Sequence, residues 1–136
     1  MLPILKDMAG NLRVLIVDDD EAIREMLRAA FWNFGHVAEA VDSAEAALEV
    51  FAPDRFDAII TDSFLPGMRG EEFARIVKQQ HRDMPIILIT GDPTAPLPDG
   101  VDYLWHKPFQ MEVLLKVLIG ERRRMAGSGD RINAPI

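Results

Sequence analysis

Three short, almost unbroken apolar runs constrain this chain most: Leu12–Val17, the stretch from Asp57 to Thr61, and Met84–Thr90. Runs of this length without polar alternation fit strands that are covered on both faces. The first is followed by a segment in which Ile23, Met26, Leu27, Ala30, Phe31 and Phe34 recur at helical spacing until Gly35 stops it. Val37–Ala40 reads as a short second strand. Ser43 can then cap a helix that turns Ala44, Ala47, Leu48 and Phe51 to one side and ends at Pro53. The unit repeats with a helix over Glu71–Gln80, carrying Phe73, Ile76 and Val77 inward. A fifth strand over Val101–His106 and a last helix over Gln110–Arg124, with Leu114, Val117 and Leu118 inward, complete the set.

Strands alternating with helices require right-handed crossovers, and hence a parallel sheet with helices on both sides. The rhythm breaks at residues 91–100. Three prolines and two glycines in that stretch cannot support a full helix interior, so the fourth helix of the series is expected to be short, 3₁₀-like or missing. Met1–Asn11 reads as a lead-in, residues 12–124 as the folded unit, and residues 125–136, with Gly127, Ser128 and Gly129, as a flexible tail or the start of a linker.

Charge and composition narrow the class of partner. The formal net charge is −7, which disfavours direct nucleic-acid binding and suits a cationic ligand or partner. The basic cluster Arg122–Arg124 reads as the cation-rich last turn of a helix. The chain has no cysteine, which excludes disulfides, thiolate metal sites and a cysteine nucleophile. Its apolar runs are too short to span a membrane and it lacks a signal-peptide core, so a cytoplasmic protein without membrane partners is expected.

Parallel sheets collect functional groups at the C-terminal ends of their strands. Here those ends carry Asp18, Asp19 and Asp20, then Asp62, Thr90 and Lys107. Carboxylates crowded at one edge repel unless a cation lies between them, and an oxygen-only site open to water suits Mg²⁺. A hydroxyl and an ammonium group beside them are the donors a phosphoryl oxygen needs. The constellation describes a phosphoryl-transfer site with Asp62 as nucleophile, Thr90 donating a hydrogen bond and Lys107 supplying countercharge. Asp20 is the member of the acidic trio most readily explained as a helix cap. His36, His81 and His106 share no ligand spacing and read as surface or packing residues.

Val17-Asp18-Asp19, Asp62 followed by Leu65-Pro66-Gly67 and Gly70, Thr90-Gly91, and Lys107-Pro108-Phe109 together resemble the receiver domain of two-component response regulators. The resemblance spans about residues 12–122. It implies a flavodoxin-like α/β fold, doubly wound, with five parallel strands in the order 2-1-3-4-5. It also implies Mg²⁺ held by Asp18, Asp19, Asp62 and the backbone carbonyl of Phe64. Phosphorylation of Asp62 by a histidine kinase or phosphotransfer protein would follow, with signalling through contacts to a downstream protein. Thr90 would be the switch hydroxyl, Lys107 the phosphate-binding cation, and Lys107–Pro108 a cis peptide.

Two departures stand out. In ungapped register from Lys107, Leu104 occupies the position of the family's aromatic switch, with Tyr103 and Trp105 on either side and, by period-two alternation, on the opposite face. Either the register slips and Tyr103 takes the position, or coupling between Thr90 and an aromatic ring is absent. If exposed, either neighbour would be a partner anchor; otherwise both pack under the proline-rich loop. Phe64 has no polar atom to orient a hydrolytic water, which predicts slow self-dephosphorylation. The rival class is a small phosphohydrolase with Asp18 as nucleophile, suggested by Asp18-x-Asp20 and Thr90-Gly91-Asp92. Against it stands Ala22, two residues after Asp20, where a hydroxyl or β-branched residue is expected.

Overall fold

The computed structural model describes residues 11–127, with side chains described through residue 120. Five strands form one parallel sheet in the order β2-β1-β3-β4-β5: β1 Arg13–Val17, β2 Val37–Val41, β3 Ala58–Asp62, β4 Ile86–Thr90 and β5 Tyr103–His106. The helices are α1 Glu21–Asn33, α2 Ala44–Val50, α3 Gly70–Gln80 and α4 Met111–Gly127. No helix lies between β4 and β5, where residues 91–102 form turns. The order is the flavodoxin-like one expected, and the missing helix falls where three prolines forbid it.

The three central strands are apolar because both of their faces are covered. Leu15, Ile16, Ile59, Ile60, Ile86 and Ile87 are each no more than 1% exposed. Alternate residues feed two separate clusters. Val14, Ile16, Ile60, Ile87 and Ile89 join Leu27, Phe31, Leu114 and Leu118 on the α1/α4 face. Leu15, Val17, Ile59, Ile86 and Leu88 join Ala44, Ala47, Phe73 and Val77 on the α2/α3 face. Each fully buried aliphatic side chain contributes about 1.5–3 kcal/mol.

Helix starts follow their caps. Asp20 Oδ1 accepts the Ala22 N–H at 2.9 Å and Ser43 Oγ accepts the Ala46 N–H at 3.1 Å. Gly35, at φ 88°, reverses the chain after α1. Several element ends differ from the periodic reading. β4 begins at Ile86 because Pro85 has no N–H to give, although its carbonyl still accepts the Ile59 N–H at 2.9 Å. β5 begins at Tyr103, after a turn at Gly100 (φ 85°). α4 continues past Arg124 to Gly127, since Met125 and Ala126 are good helix formers and no proline intervenes. The side chains of Arg122–Arg124, most of the lead-in and residues 128–136 lie outside what is described.

On α1, Leu27 and Phe31 are buried, whereas Met26 and Phe34, expected inward, are 54% and 47% exposed. The helix touches the sheet along a stripe narrower than its apolar residues. Tyr103 and Trp105 are also placed differently from expectation. They are buried, but not under the proline-rich loop: both join the α1/α4 cluster, where the Trp105 ring meets Phe109 edge-on at 6.3 Å. The loop lies on the other face. Among the described residues no helix is long and apolar enough to cross a membrane.

Candidate functional site

The C-terminal ends of β1, β3 and β4 converge on one shallow acidic depression. Asp62 is the last residue of β3 and Thr90 the last of β4, while Asp18 directly follows β1. Carboxylate oxygens of Asp18, Asp19 and Asp62 lie within 4.8 Å of one another. Asp18 and Asp62 are 4% and 8% exposed, and Asp19 is open to solvent. Lys107 reaches over them, its Nζ 3.5 Å from Asp62 Oδ2 and 4.0 Å from Asp18 Oδ2. Lys107–Pro108 is a cis peptide.

Burial pushes the Asp18 carboxyl above its usual range, and the charges of Asp62 and Asp19 push the same way. The Asp20 N–H, donating to Asp18 Oδ1 at 2.9 Å, and the Lys107 ammonium pull against them. Arg24 donates to the Asp18 backbone carbonyl at 2.8 Å and ties α1 to the loop. Three clustered carboxylates with one lysine retain an excess of negative charge. An oxygen-only donor set with one solvent-facing member fits a divalent cation that keeps bound water.

The loop after Asp62 is held from several directions. Phe64 N–H faces Asp62 Oδ1 at 3.4 Å, and the Phe64 ring lies under the Arg69 guanidinium, 4.6 Å from its centroid. Ser63 Oγ donates to Glu71 Oε2 at 2.9 Å. Glu45, reaching from α2, accepts the Met68 N–H at 3.0 Å. Gly67, at φ 76°, keeps the turn beside that carboxylate. Gly70 is demanded by contact: a Cβ there would collide with the Asp62 carbonyl oxygen. Glu45 gives no sign in the sequence of its hold on Met68, since it sits in an ordinary helical segment 23 residues from that partner.

Thr90 is 1% exposed, and its Oγ1 accepts the Asp92 N–H at 3.1 Å. A Cβ on Gly91 would meet nothing within 4 Å, so the approach to the hydroxyl is uncrowded. Leu104 lies on the α2/α3 face, as Thr90 does by strand alternation, while Tyr103 and Trp105 lie on the other. The register is therefore not slipped, and neither Tyr103 nor Trp105 shares the face of Thr90; the β5 residues on that face are Leu104 and His106. Asp20 is occupied as the α1 cap and stands outside the acidic cluster, which removes the second carboxylate that the phosphohydrolase reading requires.

A parallel sheet with an acidic pocket, a buried hydroxyl and a lysine at its carboxyl edge places these groups where α/β sheets of this winding carry their sites. The response regulator receiver domain model matches residues 14–119. Over 110 residues the chain is 36% identical to the response regulator MprA of Mycobacterium ulcerans, an alignment covering 77% of this chain and 47% of that protein. It is 37% identical over 112 residues to the response regulator protein FleR of Pseudomonas aeruginosa, covering 78% of this chain and 24% of FleR. The chain thus spans about half of MprA's length or less of its relatives. Among solved structures, the chemotaxis response regulator CheY4 of Vibrio cholerae superposes with a TM-score of 0.72 at 32% identity, over 82% of this chain and 99% of that one. The response regulator protein TrrA of Thermotoga maritima, in complex with Mg²⁺-BeF, gives 0.74 at 27% identity, over 81% and 98%.

The chain belongs to the receiver domain family of response regulators, the regulated half of two-component signalling. Receiver domains bind Mg²⁺ at an acidic pocket, and the Asp18, Asp19, Asp62 cluster is compatible with that role.

Proposed function

We propose that this chain is a phosphoacceptor whose Asp62 takes a phosphoryl group from a histidine kinase or phosphotransfer protein and signals through protein contacts. The observation that carries the reading is the position of Asp62. It is largely buried at a strand end, within reach of Lys107 Nζ at 3.5 Å, and shares its pocket with two further carboxylates. One Asp62 carboxylate oxygen attacks phosphorus, the bond from phosphorus to the donor breaks, and an acyl phosphate forms on the side chain. Lys107 offsets the charge brought together, and the Thr90 hydroxyl donates to a phosphoryl oxygen. Asp18, Asp19, Asp62 and the Phe64 carbonyl would hold Mg²⁺, which when bound neutralises the oxyanions.

The phosphodonor has a surface to meet. A groove of about 650 Å³ runs from Asp18 and Lys107 along Ile23, Met26, Pro108 and Phe109. The exposure of Met26, a misfit in the core pattern of α1, suits an apolar contact beside the reacting carboxylate. Asp18 is less well placed as the nucleophile of the rival hydrolase, since its Oδ1 already accepts the Asp20 N–H at 2.9 Å.

Incubation with a small phosphodonor and Mg²⁺ should add one phosphoryl mass to the intact chain. Peptide mapping should place it on Asp62, and Asp62→Asn should abolish it. Turnover of phosphate monoesters that depends on Asp18 and survives Asp62→Asn would sink this reading.

A further inference from the structure

The missing helix leaves residues 91–102 as a strap rather than a helix, and its two ends are fastened in different ways. At the far end the Asp102 carboxylate accepts the Ile86 N–H at 2.8 Å and the Lys78 ammonium at 2.6 Å, with both side chains largely buried. A Cβ added to Gly100 would lie only 3.4 Å from the Arg75 backbone, and the Asp102 N–H donates to the Ile86 carbonyl at 2.9 Å. That end is fixed to α3 and to the start of β4.

The near end hangs from Thr90. The Asp92 N–H donates to Thr90 Oγ1 at 3.1 Å. Asp92 Oδ1 in turn accepts both the Thr94 N–H at 2.9 Å and the Thr94 hydroxyl at 2.8 Å, while the Asp92 carbonyl accepts the Ala95 N–H at 3.2 Å. These bonds form a continuous relay from the switch hydroxyl into the middle of the strap. The Thr94 donors hold the Asp92 carboxyl below its usual range, with a smaller pull from His106, the β5 residue registered beside Thr90. The relay's acceptor is therefore charged at neutral pH.

Below the strap is space. A cavity of about 400 Å³ lies between Thr90, Ser63, Glu71 and Arg75 on one side and Pro96 and Pro98 on the other. Glu71 Oε1 is buried there without a hydrogen-bond partner. The strap can thus shift without displacing packed side chains, and its prolines make residues 93–98 move as a stiff piece.

We infer that Asp92 is the positioning residue that couples Thr90 to the proline-rich strap, and that the strap, in place of an aromatic side chain on β5, carries the switched state outward. A threonine hydroxyl can donate its proton to a phosphoryl oxygen while still accepting from the Asp92 N–H, so the turn stays attached and follows the hydroxyl. Leu104, which shares the face of Thr90, has no polar atom and no ring to take part. Leu97, 56% exposed between two prolines, is the strap's outward apolar residue. The inference rests on the phosphoacceptor reading of Asp62.

Amide NMR of the full chain, with Mg²⁺ and beryllofluoride as the phosphoryl mimic, tests it. Resonances of Ser63 and Phe64 should shift on addition of the mimic, and those of Thr94 and Ala95 should shift with them. In Thr90→Val the Thr94 and Ala95 response should vanish while Ser63 and Phe64 still respond. In Asp92→Ala it should fall roughly twofold or more, and Asp92→Asn, which can accept the same N–H, should restore it. Stationary Thr94 and Ala95 in the unsubstituted chain, or a full response in Asp92→Ala, overturns the inference and leaves the phosphoacceptor reading intact. If Ser63 and Phe64 also stay still, the phosphoacceptor reading falls and this inference with it.

Discussion

Gly70 and Asp62 touch backbone to backbone: the first residue of α3 stands so close to the strand end that a single methyl group would strike the Asp62 carbonyl oxygen. The Gly70 N–H donates to the Ser63 carbonyl at 3.1 Å, so helix and site loop are joined at the point where any shift would tilt Asp62. Gly70→Ala should cost about 1–3 kcal/mol of stability by overpacking. It should also weaken Mg²⁺ binding, read by denaturant titration with and without the metal. Unchanged stability and affinity would mean the contact is readily relieved.

Asp18 should lower the stability of the metal-free protein. Its carboxyl is raised in the folded state, so the folded chain retains a proton at pH values where the unfolded chain has released it. Its contribution is then most favourable below the ordinary carboxylate range and is lost as pH rises through the raised value. Asp18→Asn should therefore match the unsubstituted chain in acid and be the more stable of the two at neutral pH, measured by thermal melts across that range. Added Mg²⁺ should raise the melting temperature of the unsubstituted chain and leave the variant unmoved.

The side chain two residues past Asp62 should set how long a phosphoryl group lasts. Phe64 is 53% exposed and stacked under Arg69, and it offers no atom to align water. Phe64→Asn should accelerate loss of phosphate on the order of tenfold by positioning a nucleophilic water. The half-life of labelled phosphoprotein decides it, and an unchanged half-life removes the role assigned to this ring.

Asp102 is the structural counterpart of the site, a largely buried carboxylate engaged by one ammonium and one backbone N–H. Asp102→Ala strands both donors and should destabilise the chain by about 1.5–3 kcal/mol in denaturant. Phosphorylation of Asp62 by a small phosphodonor should remain measurable below the transition.

Much of this was legible because the signals were local. Continuous apolar runs announced the central strands, and carboxylate, hydroxyl and lysine fell at their ends in order. Prolines 93, 96 and 98 announced the lost helix. What escaped depended on partners far along the chain. Glu45, on the polar side of its helix, clamps Met68, and Asp102 anchors β4 through Ile86, yet the patterns that placed their segments say nothing of these distant partners. Met26 and Phe34 had the right spacing but the wrong surroundings, since periodicity cannot report how wide a stripe the sheet will cover. Tyr103 and Trp105 were assigned a face relative to Leu104 but the wrong roof, because the strap crosses the sheet on the opposite side.

Ile89 and Thr90 are neighbours on β4, yet one lines the groove beside α1 and the other the cavity beneath the strap. The sheet between them works as insulation. If the groove receives the donor as proposed, Ile23, Met26 and Phe109 can be rewritten to change donor choice while residues 93–98 stay as they are. Residues 93–98 can likewise be rebuilt to attach a new readout while donor choice is left alone. On the proposed reading, donor contact and readout lie on opposite faces of the sheet and meet at the end of β4, where Gly91 lines the groove and Thr90 the cavity.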